Sequence, residues 1–226
     1  MKRLLILGTI LLTLGASSRA QQSSFRQEWA VGLSAGTTFS SVSFSPKVKQ
    51  GMKKGLAGGM TVRWITENHL GLQAEVNLTQ SGWQEQYEVH PENQYKRTLT
   101  FLEVPFLTHI YFGSKRVRGF VNLGPQIGYR LGESTESNLP ADFDPEESTD
   151  TYQHDQPTDK RLQWGLCGGP GVELRTGIGS FLIEGRYFYG LGNLYNSRKE
   201  DHFSQSAPQI ISVKLSYLFT INHAKK

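Results

Sequence analysis

Apolar and polar residues alternate along eight stretches of this chain, running approximately Glu28 to Phe39, Gly55 to Ile65, Leu70 to Gly82, Arg97 to Phe112, Gly119 to Arg130, Arg161 to Arg175, Gly179 to Leu191 and Pro208 to Thr220. A period of two is the signature of β-strands with unlike faces. The gaps between the stretches are alternately tight and long. Those at Thr66 to His69, Gly113 to Arg118 and Thr176 to Ile178 are short; those at Ser40 to Lys54, Trp83 to Lys96, Leu131 to Lys160 and Gly192 to Ala207 are long. Short turns on one side and long loops on the other predict an all-β fold: an eight-stranded, antiparallel, up-and-down transmembrane β-barrel with short periplasmic turns and four long extracellular loops.

Parity assigns each strand residue to one of two faces. In the last stretch Ile211, Val213, Leu215, Tyr217 and Phe219 share one face, and Ser212, Lys214, Ser216 and Thr220 the other. The first stretch repeats this, with Trp29, Val31, Leu33, Ala35 and Phe39 outward and Gly32, Ser34, Gly36 and Thr38 inward. Outward aromatics near the periplasmic strand ends, Trp29, Trp64, Phe112, Phe181, Tyr217 and Phe219, form a candidate girdle at the lipid headgroups. Phe39, Tyr129, Trp164, Tyr187 and Tyr189 supply a second level. The strand charges Arg63, Glu75, Glu103, Arg130, Glu173, Arg175, Glu184, Arg186 and Lys214 all point inward by the same rule. An eight-stranded barrel is just wide enough for side chains to fill, so these groups predict a plugged, ion-paired lumen rather than a diffusion pore. Pairs of Glu184 with Lys214 or Arg175 are expected.

The N-terminus changes the reading of charge. Lys2 and Arg3, the apolar run Leu4 to Leu14 and Ser18-Arg19-Ala20 match a cleavable export signal over residues 1–20, leaving residues 21–226 as one barrel domain. The apolar run is too short for a spanning helix, which needs about 20 residues. Removing Lys2, Arg3 and Arg19 from the 24 basic residues leaves 21 against 20 acids, so the basic balance carries no argument for nucleic-acid binding. Cys167 is the single cysteine, which excludes an internal disulfide; among Gly165, Gly168, Gly169 and Gly171 it reads as a small strand residue.

Several segments resemble a known family: Leu102-Glu103-Val104-Pro105-Phe106-Leu107, Gly124-Pro125-Gln126-Ile127-Gly128-Tyr129, Gly169-Pro170-Gly171-Val172-Glu173-Leu174 and Glu184-Gly185-Arg186-Tyr187. In order and spacing they resemble the small outer-membrane β-barrels of Bacteroidota, which include PorT-like proteins, across roughly Phe25 to Thr220. The resemblance implies the fold and the outer membrane, and for PorT itself a tie to type IX secretion and gliding. It supplies no catalytic residues. The C-terminus departs from a pattern common among outer-membrane proteins, because Phe219 is followed by seven residues ending in Lys225-Lys226 rather than closing the chain.

The long loops carry the remaining chemistry. The segment Leu131 to Lys160 holds Glu133, Glu136, Asp142, Asp144, Glu146, Glu147, Asp150, Asp155 and Asp159. Asp142, Asp144, Glu146 and Asp150 are oxygen donors suited to calcium, but the turn glycine and closing glutamate of an EF-hand are missing, so a solvated acidic loop is the reading preferred. Lys47, Lys49, Lys53 and Lys54 make a basic counterpart able to meet the acidic loop or lipid phosphate, but independent solvated loops are the reading preferred, because exposed ion pairs contribute only about 0–1 kcal/mol. His90, His154 and His202 fall in loops, and His109 points inward as a satisfied lumen residue, so no nucleophile and base converge. No cofactor or metal is expected. The functional expectation is a non-catalytic envelope scaffold or interaction protein, an accessory of secretion or surface display. Its partners are outer-membrane lipid and proteins met through the extracellular loops or periplasmic rim. A lipid-modifying enzyme and a secreted small-ligand-binding barrel are the alternatives.

Overall fold

The computed structural model describes residues 27–87, 92–139, 158, 160–197 and 204–221; residues 1–20, read as an export signal, lie outside them. The strands are β1 (Glu28–Ser45), β2 (Gln50–Gly51), β3 (Lys53–Glu67), β4 (Leu70–Gln86), β5 (Gln94–Gly113), β6 (Val117–Ser137), β7 (Leu162–Arg175), β8 (Ser180–Gly190) and β9 (Gln205–Ile221). β2 is a two-residue flap hydrogen-bonded to β4. The other eight close a ring: each pairs antiparallel with its sequence neighbour, and β1 pairs with β9 from Trp29↔Ile221 to Ser45↔Gln205. Closure leaves no strand edge, the condition for placing a sheet in lipid.

Strand lengths differ more than the alternation predicts. β5 has 20 residues and β6 has 21, whereas β8 has 11. At a rise of about 3.3 Å per residue and a tilt of about 40°, a 20-residue strand climbs about 50 Å and an 11-residue strand about 28 Å, against an apolar band about 25 Å tall. The short strands just cross a membrane, and the long ones stand well clear of it. Much of what the sequence reading assigned to loops is therefore strand: β1 continues past Phe39 to Ser45, β4 past Gly82 to Gln86 and β6 past Arg130 to Ser137.

Within the band, the outward face is apolar: Leu33, Met60, Leu72, Leu78, Phe106, Leu123, Ile127 and Leu215 are all exposed to the surroundings of the barrel. Above it the faces exchange roles. Along the end of β1, Val42 and Phe44 turn inward and are buried while Ser41, Ser43 and Ser45 face out. In the upper half of β5, Tyr95, Leu99 and Phe101 are buried and Lys96, Thr98 and Thr100 alternate with them on the outer side. On β4 the change occurs at Gly82, whose φ is 144° and whose position would put a Cβ 1.9 Å from the Arg97 carbonyl oxygen. Only glycine meets both conditions. The inner face of the upper barrel then collapses into one apolar cluster of Val42, Phe44, Val48, Trp83, Leu99, Phe101, Leu194 and Tyr195.

Candidate functional site

The interior is built in layers. At the periplasmic end Ala30, Ile65, Tyr111, Phe120, Leu182 and Leu218 form a buried apolar layer, and at the extracellular end lies the Trp83 cluster. Between them Arg63, Glu75, Glu103, Glu173, Glu184, Arg186 and Lys214 are buried, as parity places them.

Glu75 is the hub. Its carboxylate accepts from both terminal nitrogens of Arg186 at 2.7 and 2.9 Å, from Lys214 Nζ at 2.6 Å, from Gln73 Nε2 at 2.6 Å and from Asn77 Nδ2 at 2.8 Å. Arg186 also donates to both oxygens of Glu184, at 2.9 and 3.0 Å. On the other side Gln73 accepts from Arg63 Nε at 2.8 Å, and Arg63 reaches Glu173 at 3.4 Å. The chain Glu173, Arg63, Gln73, Glu75, Arg186, Glu184 thus crosses the lumen from β7 to β3 and β4 and returns to β8. Glu103 is held apart by neutral donors, Thr79 at 2.8 Å and Gln163 at 3.4 Å. Buried charges persist only when paired and hydrogen-bonded, and this lattice supplies both. The space left beside Lys214, Glu103 and Gln126 is about 20 Å³, about enough for one water molecule.

The expected pairs of Glu184 are corrected. Lys214 sits opposite Glu184 in the β8–β9 register, yet it reaches across the lumen to Glu75, because both side chains point into a narrow interior where β4 lies opposite β8 and β9. Arg175 is at the periplasmic rim, partly exposed, bound to Glu28 at 2.7 Å. Arg130 belongs to the extracellular mouth, where it contacts Glu133 at 3.0 Å and the Thr158 carbonyl at 2.7 Å.

That mouth is a second cluster. Arg97 contacts Glu133 at 3.3 Å and sits over the Trp83 ring at 5.7 Å, while the Thr158 hydroxyl donates to Glu133 at 2.5 Å. Partial burial acts to raise the Glu133 carboxyl, but the Thr158 hydroxyl and the Arg97 and Arg130 guanidiniums outweigh it and hold the group below the ordinary carboxylate range. Above the low wall of β7 and β8, Leu194 and Tyr195 fold inward and are pinned by Leu194 N–H to the Ser206 carbonyl at 3.0 Å and Tyr195 N–H to Ser206 Oγ at 3.0 Å. Sequence reading missed Glu28, Glu85, Arg97, Trp83 and Tyr195. The usable signal was the unbroken alternation Ser41-Val42-Ser43-Phe44-Ser45 and Trp83-Gln84-Glu85-Gln86-Tyr87, with its apolar parity reversed.

The outward aromatics take up the positions that parity assigns. Trp29, Phe112, Phe181 and Phe219 are exposed, Trp64 stacks on Trp29 at 5.3 Å, and Tyr217 lies between Phe181 and Phe219 while donating to the Ile178 carbonyl at 2.7 Å. His109 is fully buried, with Nδ1 2.8 Å from Asn122 Oδ1; its Nε2 and the Asn122 Nδ2 find no protein partner among the described residues, so the expectation of a satisfied histidine holds for one nitrogen. His90, His154 and His202, and the loop acids Asp142, Asp144, Glu146, Glu147, Asp150, Asp155 and Asp159, lie outside the described residues. Among the described residues no three His, Cys, Asp or Glu side chains converge as a metal group.

Comparison with solved structures finds small outer-membrane barrels. The outer membrane protein OprG of Pseudomonas aeruginosa is 13% identical over 87% of this chain and 96% of its own, with a TM-score of 0.48. Neisserial surface protein A is 13% identical over 85% and 99%, with a TM-score of 0.44. The attachment invasion locus protein Ail of Yersinia pestis is 14% identical over 85% and 99%, with a TM-score of 0.41. No curated protein matches the sequence. The model of the outer membrane protein beta-barrel domain matches residues 19–196, most of the chain. With a closed ring of eight strands, an apolar outer band and that match, the chain belongs to the outer membrane protein β-barrel domain family.

Proposed function

We propose that this outer-membrane barrel is a non-catalytic scaffold or interaction component of the cell envelope. The observation that carries the reading is the way the interior is spent: an ionic layer locked between two apolar layers, with about 20 Å³ of free space beside its charges. Such an interior makes the wall rigid and offers no path for a solute. The surface available to partners is the upper barrel, where strands rather than loops carry polar side chains outward. The resemblance to PorT-like barrels of Bacteroidota supports a role as an accessory to secretion or surface display. Lipid modification is the competing function.

Deletion of the gene combined with lipid A and phospholipid profiling, and planar-bilayer recording of the purified barrel, tests the reading. Unchanged lipids and the absence of large steady conductance are the expected results. An altered lipid profile restored by the wild-type chain but not by His154→Ala or His202→Ala variants would establish an enzyme, and a large steady conductance would establish a pore. Photo-crosslinkers at outward positions of the upper barrel, such as Lys96, are expected to trap envelope proteins of a secretion or display assembly, and to trap none when moved to the lipid-facing Leu215.

A further inference from the structure

We infer that the periplasmic rim carries a headgroup site for anionic phospholipid of the periplasmic leaflet, a site distinct from the proposed contact surface of the upper barrel. The turn joining β5 to β6 and the turn joining β7 to β8 lie side by side and enclose a cleft of about 780 Å³ lined by Lys115, Arg116, Arg118, Arg175, Thr176 and Gly177. Four of its six lining residues are cations. Arg175 is neutralised by Glu28 at 2.7 Å. Glu173, the register partner of Arg118, is turned to Arg63 in the lumen, and Arg118 instead lies over the Tyr111 ring at 4.5 Å. Lys115 and Arg116 are exposed, and no ion pair of theirs occurs among the described residues.

The height of the cleft and its apolar neighbours select the occupant. Phe112 and Phe181, members of the lower aromatic level, immediately precede and follow these turns, so the cations stand where that leaflet's phosphates lie. Each turn also presents a bare aliphatic side chain beside its cations, Val117 on one and Ile178, 74% exposed, on the other. An acidic protein surface in water would leave both uncovered. A phospholipid covers them with its acyl chains while its phosphate meets Lys115 and Arg116; Arg118, over Tyr111, closes the lumen side of the cleft. The turn joining β3 to β4 carries Glu67, Asn68 and His69 instead. Anionic lipid would therefore gather on one side of the barrel.

Native mass spectrometry of the full barrel in detergent, titrated with phosphatidylglycerol or phosphatidylcholine, tests the site. Two basic residues near a lipid surface correspond to a preference for phosphatidylglycerol of about thirtyfold, weakening as salt screens the charges. The double variant Lys115→Gln, Arg116→Gln is expected to bind the two lipids within about twofold, while Lys47→Gln, Lys49→Gln, Lys54→Gln at the other end keeps the preference. Heat-dependent gel mobility checks that each variant is folded, and the single Arg116→Gln, expected to lose about fivefold, serves if the double is not. Equal binding of both lipids by the wild type, or a preference unchanged in the folded double variant, overturns the site. Soluble glycerol phosphate or polyglutamate displacing the lipid at comparable concentration overturns the lipid as its occupant.

Discussion

The lower and upper parts of the barrel are made from the same strands and obey opposite rules. In the lower part β1 presents Leu33 outward and Ser34 inward; ten residues later the strand presents Ser43 outward and Phe44 inward. The backbone ladder to β9 runs through the change without a break, from Leu33↔Tyr217 to Phe44↔Ser206. Hydrogen bonding therefore does not set which face is apolar; the surrounding solvent does. Where lipid lies outside, apolar groups cost nothing there, and the inside holds apolar layers together with charges that must be paired. Where water lies outside, the inside becomes an ordinary hydrophobic core. The exchange near Phe39 on β1, Gly82 on β4 and Phe101 on β5 marks the outer boundary of the membrane on the protein itself.

The largest expected effect comes from cutting the lower part's ionic lattice. Arg186→Met leaves Glu75 and Glu184 buried with a principal partner removed. Breaking a buried pair from one side costs about 3–5 kcal/mol. Urea unfolding of the barrel in lipid vesicles should show that loss. A change below about 1 kcal/mol would mean that Lys214, Gln73 and Asn77 suffice to hold the carboxylates, and that the lattice is redundant.

The outer face gives the next test, by placing one substitution on each side of the boundary. Leu215→Arg puts a charge on the lipid face and is expected to cost about 2–4 kcal/mol if the residue sits near the bilayer midplane. Ser43→Arg puts the same charge on the same face higher up, where water receives it, with an expected change within about 0.5 kcal/mol. Equal costs at the two positions would erase the comparison, and a large cost at Ser43 would move the membrane boundary up the barrel.

The same exchange of faces decides how much of the fold is legible in the sequence. The eight strands were legible because alternation with apolar residues outward persists along each, and lumen charges such as Arg63, Glu75 and Lys214 were legible because parity alone points them in. Strand ends were not, since a reading keyed to outward apolar residues stops where the faces exchange: β1 seemed to end at Phe39 and β4 at Gly82, although both continue. Pairing inside the lumen was hidden for another reason. Glu75 and Arg186 are 111 residues apart, on strands that are not neighbours in the sheet, and the curvature that brings them together belongs to the closed barrel rather than to any segment. Arg97 carries no signal of its own because it opens its alternating stretch, and its partner Glu133 lies past Arg130, where that of β6 ends.

The smallest expected effect separates the two parts by pH. The Glu133 carboxyl titrates below the ordinary range in the folded protein, so the unfolded state binds the proton more readily. The clamp's contribution is then fully present above the unfolded carboxylate value and is lost as pH falls through the folded one. With its side chain 38% exposed, the group is screened by water and its effect is local. Amide exchange should therefore quicken on acidification, relative to its normal chemical rate, in the upper β5–β6 ladder, at Arg97↔Thr135 and Leu99↔Glu133. Under the same conditions the lower pair Ile110↔Val121 should keep its protection. Glu133→Gln should flatten the upper response. Equal quickening at both levels would assign the acid sensitivity to the lumen charges instead of the mouth; none at either would leave the Arg97, Arg130 and Thr158 contacts as geometry without consequence for stability.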